Sequence, residues 1–268
     1  MSFNLADFRE YYRGNTIAQA DGDTGDSSQR VGTFWVLLSF LGVKRDKNID
    51  FYETMIKAHE IVPGRYRRSP IQDYWGSDPT NFSRDQQSIL TLAFAAQGDK
   101  KRFKDSMFAV LKRGGFYQNF LRGTDDPTKY WKVPDFITLY QLGLAIRGLD
   151  LWLLYPLLLV IDLGLFLDLG FRKTHLWDAD NMFAQNLFYA SYRYPTPWSR
   201  IVFHLYGLTD FTERLHTYHT TSNGIKPLYD LYVAAYDRLR GIYETNRFDR
   251  VVIRIIKLCF NDKKNNRN

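Results

Sequence analysis

Along most of the chain, apolar residues return every three or four positions, and short stretches rich in Gly, Pro, Asp and Asn interrupt them. That spacing marks helices with one face toward a core. The first predicted helix covers Ser27 to Gly42 (SSQRVGTFWVLLSFLG), and the second covers Ile49 to Ile61 and stops at Pro63-Gly64. A third starts near Ser83 and stops at Gly98, and a fourth follows from Asp99 to Arg113. The fifth runs from Pro134 to Arg147, the sixth from Leu149 to about Leu169, and the seventh from near Asp178 to the Tyr194-Pro195 break. An eighth opens on Thr196-Pro197, a cap followed by proline at the first helical position. At least one further pair begins near Lys226. Strand signals are few.

Taken in pairs, these helices start near residues 27, 84, 134, 179 and 226, a spacing of about 45 to 57 residues that fits αα-hairpins stacked side by side. The expected fold is all-α, with stacked αα-hairpins forming an incomplete (α/α) toroid-like array in a single domain, 1–268. Residues 1–26 form an N-terminal segment and loop, and residues 247–268 form a basic C-terminal helix and tail. In such an array the first helices of successive pairs point the same way. Their N-termini, and the long loops that feed them, gather on one rim.

The most apolar segment is Leu151 to Phe171, LWLLYPLLLVIDLGLFLDLGF. Its uninterrupted apolar run ends at Asp162 and is about half the roughly twenty residues that span a bilayer. A helix apolar on all sides suits the centre of a helical array. Asp162 would then be a buried carboxylate in need of a partner, with an arginine expected.

Composition changes this picture little. A 45% hydrophobic content over 268 residues supports a packed core. The single cysteine, Cys259, leaves no disulfide framework and no cysteine zinc cluster. The start, MSFNLADFREYYRG, has acids and aromatics where a signal peptide needs a basic start and an apolar run, so a cytoplasmic compartment is the expectation. The net charge is +7, but nine Lys and Arg against four acids between Asp237 and Asn268 account for about +5 of it. A nucleic-acid groove spreads its basic residues over the binding face, so nucleic acid is not an expected partner.

The rim loops carry the candidate chemistry. They read DGDTGDSSQR before the first helix, YWGSDPTNFSRDQ before the third, DDPTKYWKVPD before the fifth and KTHLWDADN before the seventh. Acids at helix starts are favoured by unsatisfied N–H groups and the helix dipole. Ser83 with Gln86 also reads as a capping box, and Asp26 or Ser27 as the cap of the first helix. Arg84, however, sits at the positive end of a helix. Trp75, Trp131 and Tyr117 stand in loops among polar residues, which suits stacking against a sugar or planar ligand. DGDTGD fails the EF-hand register, and His175 with Asp178, Asp180 and Asn181 matches no zinc spacing. His216 and His219 read as surface or core-packing residues. No metal and no cofactor are expected.

Helix pairs with acid-bearing rim loops between residues 20 and 245 resemble the (α/α)-toroid enzymes that act on polysaccharides as hydrolases or lyases. SRDQ, KVPD and YPTPWSR also resemble segments of bacterial proteins of unassigned function. The toroid resemblance implies a cleft at the rim with aromatic walls and two carboxylates, and an oligosaccharide or polysaccharide ligand. On that expectation the protein is a glycoside hydrolase, with Asp85 and Asp135 as acid and base and Asp23 as an alternate for either. Arg84, Gln86, Arg30, Lys132 and Asp78 would orient the ligand, and Trp75, Trp131 and Tyr117 would stack on it. The alternative is a non-enzymatic helical scaffold held peripherally against a membrane by the apolar sixth helix and the basic C-terminal helix. Arg250, Arg254 and Lys257 fall on one face of that last helix.

Overall fold

The computed structural model describes residues 5–19, 21–71, 84–111, 137–171, 187–208 and 225–265, and these are mostly helical. The main helices are α1 (Ser27–Phe40), α2 (Ile49–His59), α3 (Arg84–Ala96), α4 (Lys100–Leu111), α5 (Ile137–Gly148), α6 (Tyr155–Phe171), α7 (Pro197–Leu208), α8 (Lys226–Glu244) and α9 (Arg247–Asn265). A further helical segment occupies residues 187–192, and a 3-10 turn, Trp152–Leu154, leads into α6. Most helix boundaries thus fall within a few residues of the periodicity.

Two short antiparallel hairpins add to the helices that periodicity predicts. In the first, β1 (Tyr12–Arg13) pairs with β2 (Thr16–Ile17) around Gly14 and Asn15, both at positive φ, as a tight two-residue turn requires. In the second, β3 (Glu60–Val62) pairs with β4 (Arg65–Tyr66) around Pro63-Gly64. The residues that read as the stop signal of the second helix form a hairpin turn instead. Gly64 sits at φ 81°, and a Cβ there would fall 2.7 Å from the carbonyl carbon of Asp105 on α4. Both the turn and the close approach of α4 therefore require glycine.

The centre belongs to α1. Every α1 residue except Ser39 is buried, and α1 packs against α2, α3, α8 and β2. Gly32 lets α3 approach closely: a Cβ there would meet the Ile89 side chain and lie 3.0 Å from the Ile89 carbonyl carbon. Around this contact Phe34, Trp35, Leu37 and Leu38 pack with Leu90, Ala93 and Phe94 of α3 and with Leu228, Tyr232 and Ala235 of α8. Apolar content alone predicts the central place for α6. That expectation fails, because α6 packs on α5 and α7 with Leu158, Ile161 and Asp162 buried, while Leu157, Leu159 and Val160 are exposed.

The helix contacts form a continuous series: α1 on α3, α3 on α5, α5 on α6, α6 on α7, α7 on α9, α9 on α8, and α8 back on α1. Where α5, α6 and α7 meet, Asp162 finds the partner its burial demands. Arg147 donates from Nη2 to Asp162 Oδ2 at 2.5 Å, and Thr196 Oγ1 donates to the same oxygen at 2.6 Å. Thr196 also caps α7, as the Thr-Pro start predicts: its Oγ1 accepts the Ser199 N–H, and Ser199 Oγ accepts the Thr196 N–H. One threonine hydroxyl thus ties a helix cap to a buried ion pair.

Candidate functional site

Part of the predicted rim can be located. The loop 21–26 lies against the start of α3, where the Gln86 amide donates to Asp26 Oδ1 at 3.0 Å across sixty positions of sequence. Arg68 donates to the same oxygen from Nη2 at 2.6 Å and from Nε at 3.1 Å. Asp26 occupies the N-cap position of α1, but its carboxylate makes no cap bond. The expected cap is replaced by a cross-link joining the start of α1, α3 and Arg68, two residues past β4. The loop before α1 therefore meets the first turn of α3.

The described candidates in this region have architectural bonds. Arg30 is 6% exposed, and it donates from Nε to the Ile17 carbonyl and from Nη2 to the Asp23 carbonyl, both at 2.9 Å. It holds the first hairpin and the 21–26 loop onto α1. The Asp23 carboxylate accepts the Gly25 N–H at 2.7 Å, which shapes that loop locally. Gln86 is fully buried. Arg84 and Asp85 stand in the first turn of α3, and their side chains lie outside the described residues. Trp75, Asp78, Tyr117, Trp131, Lys132 and Asp135 also lie outside them, as do Ser83, His175, Asp178, Asp180, Asn181, His216 and His219.

A denser polar cluster lies behind α2 and α4, and no spacing in the sequence announces it. Arg102 grips Glu53 with two nitrogens at 2.8 and 2.9 Å and reaches Asp99 at 3.1 Å and Glu60 at 3.4 Å. Arg45 reaches Asp99 at 2.9 Å, and Tyr52 donates to Asp99 at 3.1 Å. Asp99 also caps α4 through the Arg102 N–H. With its carboxylates matched by guanidinium groups, the cluster staples the 3-10 turn at Arg45–Asn48, α2, β3 and α4. Hydrogen bonding from Arg102 holds the Glu53 carboxyl below its ordinary range.

Two buried histidines are likewise structural. The His59 Nδ1 lies 3.1 Å from the Arg67 carbonyl, so it carries the proton, and Nε2 accepts from Thr16 Oγ1 at 2.8 Å. Burial pushes its pKa down to about 4 and keeps the ring neutral. His204 meets Asp249 at 2.9 Å, but Arg200 already pairs with both Asp249 oxygens. Burial and the Arg200 guanidinium then push His204 down to about 4 as well. Among the described residues, no group of three or more His, Cys, Asp or Glu is placed to hold a metal ion.

The feature that composition and periodicity do not reveal is surface. In the turn leading into α6, Trp152 is 69% exposed and Leu153 71%, and Leu154, Leu157 and Leu159 are exposed beside Val160 at 65%. From Leu151 to Ile161 the chain carries no charge at all. Leu158, Ile161 and Asp162 hold the opposite side against the protein. Scattered single apolar residues on a surface are ordinary, whereas these exposed ones stand together in a continuous uncharged run. No described helix is long and apolar enough to cross a membrane. Comparison of the chain with protein-family models, with curated proteins and with solved structures finds no match.

Proposed function

We propose that the protein is a helical scaffold that rests peripherally on a membrane, anchored by the Trp152–Leu154 turn and the outer side of α6. The observation that carries this reading is the exposed, charge-free run from Leu151 to Val160. Water makes such a surface costly, since each of these side chains contributes about 1 kcal/mol or more when it leaves water. A tryptophan at the edge of the run fits the boundary between headgroups and acyl chains, where one part of the ring is apolar and the indole N–H stays wet. The run is too short to span and its far side is bound to protein. Lying in the interface is the arrangement that satisfies both.

The test is vesicle flotation with the wild type and with Trp152→Glu/Leu153→Glu/Val160→Glu. All three positions are exposed, so the variant keeps its fold, checked by its urea midpoint. The wild type floats with vesicles and the variant stays in the soluble fraction. A wild type that fails to float with neutral and acidic vesicles alike overturns the reading.

A second reading, a glycan-acting enzyme on a toroid-like array, is favoured by the Gln86–Asp26 bond, which joins the start of α3 to the loop before α1. The series of helix contacts that returns to α1 supports it too. Asp85 and Asp135 would supply the acid and base. A glycan panel assayed with the wild type and Asp85→Asn tests it: turnover lost in the variant supports the reading, and equal turnover removes Asp85 from the chemistry.

A further inference from the structure

The outer surface of α9 divides into two stripes. Asp249, Ile253 and Ile256 are buried against α7 and α8. At 100° per residue, Arg247, Arg250, Arg254 and Lys257 form one exposed stripe, and Phe248, Val251, Ile255 and Leu258 form a second beside it. In the apolar stripe Val251 is 51% exposed, Ile255 54% and Leu258 67%. The helix therefore buries Ile253 and Ile256 and still presents an amphipathic surface outward.

The basic stripe has no internal purpose. On the neighbouring α8, Lys226 pairs with Asp230 at 2.5 Å and Arg240 with Glu244 at 2.7 Å. None of Arg247, Arg250, Arg254 and Lys257 has an ion pair among the described residues. Arg247 also stands at the first position of α9, where the helix dipole disfavours positive charge. Unpaired cations next to exposed Val, Ile and Leu describe a partner that is anionic at one depth and apolar just below it. A lipid leaflet has that layering, whereas a nucleic-acid backbone lacks the apolar layer and a protein groove lacks the continuous anionic one.

Resting on the proposed membrane association, we infer that α9 is an in-plane helix selecting bilayers with anionic headgroups, with its apolar stripe inserted and its basic stripe at headgroup level. The α6 surface then supplies binding to any bilayer. The α9 surface supplies the choice of lipid.

The experiment compares flotation on vesicles of phosphatidylcholine alone and of phosphatidylcholine mixed with phosphatidylglycerol, for the wild type and for Arg250→Gln/Arg254→Gln. The wild type binds the anionic vesicles at least about ten-fold more tightly, and each lost cation weakens that binding about five-fold. Raising the salt weakens it in the same direction. An environment-sensitive dye on the thiol introduced by Leu258→Cys, in a chain that also carries Cys259→Ser, shifts to the blue on anionic vesicles only. The double Gln variant binds the anionic vesicles about twenty-five-fold more weakly than the wild type and binds phosphatidylcholine as the wild type does. If that variant keeps the full anionic preference, or if the wild type binds both vesicles equally, the inference about α9 falls while the membrane reading stands. If the wild type binds neither vesicle, both fall. A stable dimer in solution that Ile255→Glu dissociates would make a second copy of the chain the occupant, and would also overturn the inference.

Discussion

Arg147→Ala leaves the Asp162 carboxylate buried and unpaired, and should cost about 3–5 kcal/mol in urea unfolding. Arg147→Met/Asp162→Leu removes both charges and should recover most of that loss. That Asp162 must have a partner is legible in the sequence, because a carboxylate inside an apolar helix has no alternative. The identity of the partner is not. Arg147 lies on the preceding helix and Thr196 at the cap of α7, and only the packing of α5, α6 and α7 brings them to one oxygen. His59 supports a second prediction at this scale. Its folded pKa is about 4 against 6.5 for a free imidazole, so below pH 6.5 the unfolded chain takes up a proton that the folded chain refuses. Stability should be full above that pH and fall by up to about 3 kcal/mol as the pH drops to about 4. His59→Gln should reduce the pH slope without abolishing it, since His204 titrates in the same window. Urea midpoints measured across that range decide it.

At the scale of elements, helix existence and order are legible in the sequence and helix position is not. Periodicity locates α1 to α9 because each has an apolar side, yet it assigns the centre to α6, the helix with the most apolar sequence. The helix that occupies the centre carries Ser27, Ser28, Gln29, Arg30 and Thr33 inside. Of these, Arg30 and Ser27 donate from their side chains to main-chain carbonyls of the segments around them. Gly32 permits the approach that hydrophobicity alone does not specify. Gly32→Ala should push α3 away and cost about 1–3 kcal/mol, although alanine is the better helix former. A stabilising effect in thermal unfolding would show that α1 and α3 pack less closely than this. The same limit applies to α9: both Ile253 with Ile256 and Val251 with Ile255 are apolar stripes, and sequence does not choose between them. Asp249, seated on Arg200 and His204, makes the choice. Of the candidate rim, the capping and ligand roles of Arg30 and Gln86 look alike in sequence, because donors to main chain and donors to a ligand are the same residue types.

At the scale of the molecule, α9 is both part of the fold and a basic surface, and the two roles predict different responses to change. In sequence residues 247–268 read as a basic C-terminal helix and tail set against a membrane. Removing residues 247–268 withdraws Asp249 from Arg200 and His204, and Ile253 and Ile256 from the contact with α7 and α8. That leaves a guanidinium without its carboxylate and uncovers apolar core, so the truncated chain should lose about 5 kcal/mol or more, or fail to fold. Arg250→Gln/Arg254→Gln changes only exposed, unpaired cations and should shift stability by no more than about 0.5 kcal/mol. Its fluorescence-monitored urea curve should overlay that of the wild type, while the truncation's midpoint should drop or its transition vanish. A truncation as stable as the wild type would mean that α9 does not depend on the Arg200–Asp249 pair for its seat. The exposed stripes would then no longer be fixed outward by the core.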